Sequence, residues 1–246
     1  MVEAARQAGH DRPAVLHEHA DGEALVHPTR LDPRRGAIHA DRVATLGDAW
    51  HDGDTMYLCA VDGEGMSVSL IQSNANGFGS HVTLPELGIF LHNRGIGFSL
   101  EPGHPASYGP GRRPPHTLAP ALVTRDDGHL RAVLGTMGAD AQPQIVLQML
   151  VRLLHDAADP GHVVGGGRWV LTGGGTGFGT WDDADSVQVV VEPHAPAAWV
   201  PGLVDRGHRA RVGAANFGHA HCIEAVDGGL RGAADPRAVI GEAAGY

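Results

Sequence analysis

A chain of 246 residues, 42% hydrophobic and 19% charged, holds enough apolar material for one sizeable core, or for a core with an appendage. Its formal charge of −10 reflects 28 acidic against 18 basic residues, and no Lys/Arg-rich stripe interleaved with aromatics occurs, which excludes nucleic acid as the expected partner. The 17 histidines are scattered without HExxH or CxxC spacing, so no metal or other cofactor is expected.

Residues 1 to about 54 are polar, His-rich and interrupted by proline. They offer one helix candidate, Pro33 to Leu46, and little to bury. From Met56 the texture changes. MYLCAVD and GMSVSLIQSN alternate or run apolar over short lengths around Asp62-Gly63-Glu64-Gly65, the pattern of a β-hairpin. Further strands are expected in LGIFLHN (87–93), in ALVTRDDGHLRAVLG (121–135, a hairpin about Asp126-Asp127-Gly128) and in SVQVVVE (186–192). Between the last two, Gln144 to His155 places apolar residues at helical spacing and reads as the best helix of the chain. Late strands are expected in CIEAVDGGL (222–230). The resulting class is α+β, an antiparallel sheet packed by helices.

The 36 glycines and 16 prolines lie between apolar runs, which fits a loop-rich globular chain rather than disorder. Gly165-Gly166-Gly167 and Gly173-Gly174-Gly175-Thr176-Gly177 lack the preceding strand, the Lys-Ser/Thr ending and the following helix of a phosphate-binding loop, so they read as loops. Cys59 and Cys222, each in an apolar stretch, are expected as buried thiols in a reducing compartment. No apolar run approaches the roughly 20 residues of a membrane-spanning helix, and no basic segment followed by an apolar one opens the chain. A cytoplasmic protein without a membrane partner is expected.

Several motifs recur in a fixed order: Gly53-Asp54-Thr55-Met56-Tyr57, Gln72-Ser73-Asn74, Gly77-Phe78-Gly79-Ser80, Asn93-Arg94-Gly95, Gly97-Phe98-Ser99 and Arg113-Pro114. They continue through Met137-Gly138, Gln142-Pro143-Gln144, Gly218-His219-Ala220, Ala234-Asp235-Pro236-Arg237 and Gly245-Tyr246. From about Asp52 onward this order resembles the small catalytic subunit of the γ-glutamyltransferases, and Leu31-Asp32-Pro33-Arg34-Arg35 looks like the end of that family's large subunit. The resemblance implies the four-layer αββα sandwich of N-terminal-nucleophile hydrolases, here the small-subunit half. It divides the chain into a tail, 1–54, and a catalytic domain, 55–246.

The chemistry implied is self-cleavage between Asp54 and Thr55 followed by acyl transfer on Thr55. A threonine hydroxyl is a poor nucleophile until a base takes its proton. Once the chain is cut, the new α-amine, with an intrinsic pKa of about 7.7–8.0, lies a few bonds away and is partly unprotonated near neutral pH. Ser73 stands where the family carries a second, supporting threonine. Gly138-Ala139 matches the Gly-Gly pair whose amides hold the oxyanion, and Asn74 and Thr117 are kept as polar substrate contacts.

Two departures bear on the substrate. The aspartate that counters the glutamyl ammonium is replaced by Gly97, and the paired serines for the α-carboxylate are replaced by His116-Thr117. A charged ammonium without its counter-charge binds poorly. Arg94 and His116 are instead suited to an anionic or carbonyl-bearing acyl group. The expected partners are a small amide substrate and a large-subunit-like chain or a second copy, because the family's large subunit supplies half of the sandwich. Without it, the sheets are expected to show an uncovered apolar face. The competing reading is an inactive remnant or interaction module that binds such a chain.

Overall fold

A computed structural model describes residues 1–43, 55–173, 187–213 and 217–246. Four short helices open the chain: α1 (Val2–Gly9), α2 (Arg12–Val15), α3 (Gly22–Val26) and α4 (Pro28–Gly36). The helix expected from Pro33 to Leu46 therefore begins earlier and ends at Gly36, and residues 44–46 lie outside the described part. The start is set by Pro28 at the first helical position, where a missing N–H costs nothing, and by His27 Nδ1, which accepts from Thr29 N at 3.3 Å.

The expectation that this segment buries little is also corrected. Glu3, Arg6 and Gln7 of α1 are buried, because Arg6 donates to Glu3 at 2.8 Å and His208 lies 3.6 Å from the same carboxylate. Val2 and Ala5 pack beside Trp169, Leu171, Val189 and Val191. Paired charges and small apolar side chains bury a stretch whose composition reads as solvent-facing.

Strands β1 (Thr55–Val61) and β2 (Ser67–Ser73) form the expected antiparallel hairpin, with Thr55 opposite Ser73 and Cys59 opposite Ser69. A small ribbon follows, β3 (Thr83–Leu84) with β4 (Ile89–Phe90). β5 (Ala121–Thr124) and β6 (Leu130–Thr136) make the second hairpin, turning through Gly128 at φ +84°. Helix α5 (Gln142–Leu150) continues into a π-helical turn, Val151–His155. After α6 (Pro160–Gly165) come β7 (Trp169–Thr172), β8 (Gln188–Val191), α7 (Trp199–Val204) and β9 (Ala210–Val212). The hairpin of β10 (Ala220–Val226) and β11 (Gly229–Ala234) closes the fold.

The larger sheet has the order β11-β10-β6-β5, and a second sheet has the order β7-β8-β9. Leu134 on β6 and Cys222 on β10 meet Ile145, Met149 and Leu153 from the long helix, with Val163, Val164, Val170 and Val190 completing the core. The β1–β2 hairpin packs on β6 and β10. It approaches closely because Gly135 has no side chain: a Cβ there would lie 2.4 Å from Tyr57 Cε2. Tyr57 is buried, whereas Met56, Leu58, Val68 and Leu70 on the hairpin's opposite face are exposed, the uncovered apolar face expected from the sequence. Cys59 and Cys222 are both free thiols, and burial pushes Cys222 up to about 12. Among the described residues no helix is long and apolar enough to cross a membrane.

Candidate active site

Strand pairing brings the first two candidates together. Thr55 and Ser73 are opposite one another at the open end of the hairpin, and their hydroxyl oxygens lie 2.9 Å apart. Ser73 Oγ also accepts from Arg94 Nη2 at 2.9 Å and from the Ala75 amide at 3.0 Å. A hydroxyl has two acceptor lone pairs and one proton. In the bond between the two hydroxyls either oxygen can be the donor.

Arg94 is the hub of the next step. It opens a short 3-10 turn, Arg94–Gly97, is 9% exposed, and donates a second, longer bond from Nη1 to Thr117 Oγ1 at 3.4 Å. Burial lowers its pKa from the ordinary arginine value, yet a guanidinium stays charged at any neutral pH. The cation is inserted between Ser73 and Thr117. Thr117 is buried, while the neighbouring His116 is exposed at the backbone-linked ring whose Nδ1 accepts from Leu118 N at 3.2 Å. Burial, then the charges of Arg94 and Arg12, hold His116 below its usual pKa and favour the neutral ring. Asn74 is half-buried, and its carbonyl accepts from Asn93 N at 3.0 Å.

Gly138 and Ala139 form the turn between β6 and α5. Both take positive φ, +133° and +47°, and a left-handed alanine costs roughly 1–2 kcal/mol, so the turn persists only because its surroundings hold it. One support is Gly218, itself at φ +70°, where a Cβ would lie 2.4 Å from Thr136 Oγ1 and 2.7 Å from the Met137 carbonyl. Another is Asp140, buried in the turn and ion-paired to Arg12 of α2. The turn lies three residues beyond Gly135, against which the Tyr57 ring is packed, and Thr55 shares the inward face of β1 with Tyr57. Asp54 lies outside the described residues.

Gly97 has a structural requirement of its own. A Cβ at this position would lie 2.5 Å from the Pro115 carbonyl oxygen, so the segment leading into His116 and Thr117 occupies the space a side chain would need. Two cavities flank that segment. One of about 620 Å³ lies between the N-terminal helices, residues 116–119 and the start of α5; the other, about 520 Å³, is lined by Ile96–Ser99, Pro115 and Arg12 among others. Thr55 lines neither, and Thr117, which lines the first, is linked to Ser73 through Arg94.

Sequence reading missed a buried ionic network behind the turn. Arg168 is fully buried, pairs with Asp235 at 2.5 Å, and donates to the carbonyls of Phe217 and Gly218. Asp235 Oδ2 also accepts from Ala220 N at 2.9 Å, and Arg237 ties Asp235 to Glu192. Burial drives Arg168 down to about 10, against the pull of Asp235. These groups clamp the residues on which the Gly138 turn rests. The motif Ala234-Asp235-Pro236-Arg237 was the only signal for them.

The gamma-glutamyltranspeptidase family model matches residues 1–246. The chain is 35% identical, over its whole length and 46% of the relative's, to the oxamate amidohydrolase proenzyme of Klebsiella pneumoniae. It is 32% identical to the glutathione hydrolase-like YwrD proenzyme of Bacillus subtilis, over 96% of this chain and 45% of that protein. Among solved structures, cephalosporin acylase from Bacillus halodurans superposes with a TM-score of 0.82 at 30% identity, covering 100% of this chain and 45% of that one. The chain spans about half the length of the curated relatives it matches.

Proposed function

The chain belongs to the gamma-glutamyltranspeptidase family, and from that premise we propose that it is the catalytic portion of a self-cleaving amidohydrolase whose nucleophile is Thr55 and whose acyl group carries a carboxylate. The observation that carries this reading is the line Thr55–Ser73–Arg94, two hydrogen bonds of 2.9 Å each. It sets a buried cation one hydroxyl away from the nucleophile.

The first step is cleavage before Thr55, by attack of its hydroxyl on the Asp54 carbonyl and hydrolysis of the resulting ester. This leaves residues 1–54 and 55–246 as separate pieces. In turnover, the α-amine of Thr55 takes the hydroxyl proton as Oγ1 attacks the substrate carbonyl. Ser73, donating to Oγ1, steadies the charge on that oxygen. The amides of the Gly138-Ala139 turn are the donors for the oxyanion. Collapse of the tetrahedral intermediate returns the proton to the departing amine and leaves an ester on Thr55, which water hydrolyses.

Arg94 favours a small amide with its carboxylate close to the scissile carbonyl, and Gly97 leaves no group to receive a glutamyl ammonium. The name of the Klebsiella pneumoniae relative supports this class of substrate. Asn74, His116 and Thr117 line the approach. A large-subunit-like chain covers the exposed face of Met56, Leu58, Val68 and Leu70 and completes the four-layer sandwich.

The test is mass spectrometry of the full-length protein, or of this chain produced with its complementary half. A piece whose first residue is Thr55 is expected, and Thr55→Ala stays uncut. A wild-type assembly that also stays uncut and hydrolyses no amide would leave the inactive interaction module as the correct reading.

A further inference from the structure

The N-terminal tail reaches into the turn assigned to the oxyanion. Asp140 follows the left-handed Ala139 directly, and its side chain has no solvent exposure. A buried carboxylate without a cation is costly, and the cation is supplied from 128 residues away by Arg12, the first residue of α2. Arg12 also bears on the substrate side: its charge acts on His116, and it lines both cavities flanking residues 115–117. One guanidinium of the tail therefore stands between the turn and the segment that carries Thr117.

We propose that Arg12 is a positioning residue, which holds the Gly138-Ala139-Asp140 turn in its strained conformation through Asp140 and so makes the seated tail a requirement for catalysis. This rests, for its catalytic consequence, on the function proposed above. The tail has other anchors that do not touch the turn. Glu18 accepts from Arg112 Nε at 2.6 Å and from Arg113 N at 3.0 Å, and the Val43 amide donates to the Arg206 carbonyl at 2.8 Å. Losing one of these loosens the tail without removing the counter-charge of Asp140, which separates positioning from general docking.

The experiment uses the full-length protein in four forms: wild type, Arg12→Ala, Asp140→Asn and Glu18→Ala. Hydrogen–deuterium exchange is followed at the amides of residues 138–144, and steady-state kinetics with a small anionic amide give kcat and KM separately. Arg12→Ala and Asp140→Asn are expected to speed exchange in that segment and to lower kcat on the order of 100-fold, the usual cost of a small misplacement, with KM changed far less. The double variant falls no further than either alone, and Arg12→Lys recovers part of the loss. Glu18→Ala leaves exchange at 138–144 and kcat close to wild type. Unchanged exchange in Arg12→Ala and Asp140→Asn, or equal effects from Glu18→Ala, overturns the proposal. If Arg12→Ala does not fold, Asp140→Asn and Arg12→Lys carry the same comparison. A wild-type protein inert toward every amide, with the exchange difference intact, overturns the functional reading instead and leaves the Arg12–Asp140 link standing.

Discussion

Replacing Arg94 by alanine tests the acyl-group assignment directly. The guanidinium is 9% exposed and lies 2.9 Å from Ser73 Oγ and 3.4 Å from Thr117 Oγ1, so truncation removes a charge-assisted bond and leaves a bound substrate carboxylate without its cation. Truncating one side of a buried charge pair costs about 2–5 kcal/mol, or roughly 30-fold to a few thousand-fold in kcat/KM. A neutral amide of the same size loses only the support that Arg94 lends Ser73, about 1.5–3 kcal/mol. The two ranges differ by about 0.5–2 kcal/mol, so the selectivity for the anionic over the neutral amide should collapse by roughly 2- to 30-fold. Ammonia release from an oxamate-like and an oxamide-like substrate measures both. Arg94→Lys should fall between, because it keeps the charge but lacks a fork that can reach Ser73 and Thr117 together. Equal losses on the two amides would refute the placement of the carboxylate beside Arg94.

Gly97→Asp should not create glutamyl activity, because its Cβ would sit 2.5 Å from the Pro115 carbonyl. Overpacking of this kind costs about 1–3 kcal/mol, read as a lower Tm, and a gain in γ-glutamyl anilide hydrolysis with an unchanged melt would contradict it. Acid should destabilise the fold through Asp235 and Glu192: burial, the largest single influence, raises both carboxyls, but the arginines beside them together with the backbone amides that donate to them outweigh it and hold the folded values below the ordinary range. Groups depressed in this way stabilise above the unfolded pKa, about 4, and that contribution is lost as pH falls through the folded values. Thermal melts from neutral pH to pH 3 should show the decline, with a shallower slope in Asp235→Asn; identical slopes would remove Asp235 from the account.

The hairpins were legible because alternation and Asp/Gly turns are local signals: Tyr57 inward and Met56 outward follow from a period of two, and Thr55 facing Ser73 follows from the turn between them. The long helix was legible from Ile145, Met149 and Leu153. The N-terminal helices were not, because Glu3 is buried beside His208 and Arg12 is paired with Asp140, partners that no local window contains. The same distance concealed the network of Arg168, Glu192, Asp235 and Arg237. Arg94 was legible as a candidate, but its direction was not: only the fold turns the side chain inward to Ser73. Gly97 read as the loss of an aspartate; only the close approach of Pro115 shows that the missing side chain is also a spatial requirement.

The seat of Tyr57 on Gly135 carries a constraint of parity. Side chains on a strand change sides at every residue, so the ring that enters against Gly135 also decides, two residues earlier, that Thr55 faces inward toward Ser73. Lengthening or shortening the chain by one residue between Thr55 and Tyr57 would leave the ring docked and point the Thr55 hydroxyl into solvent, whereas an even change would preserve the facing and alter only the reach. The Thr55 end of this strand is thus aimed by an aromatic side chain that never touches it.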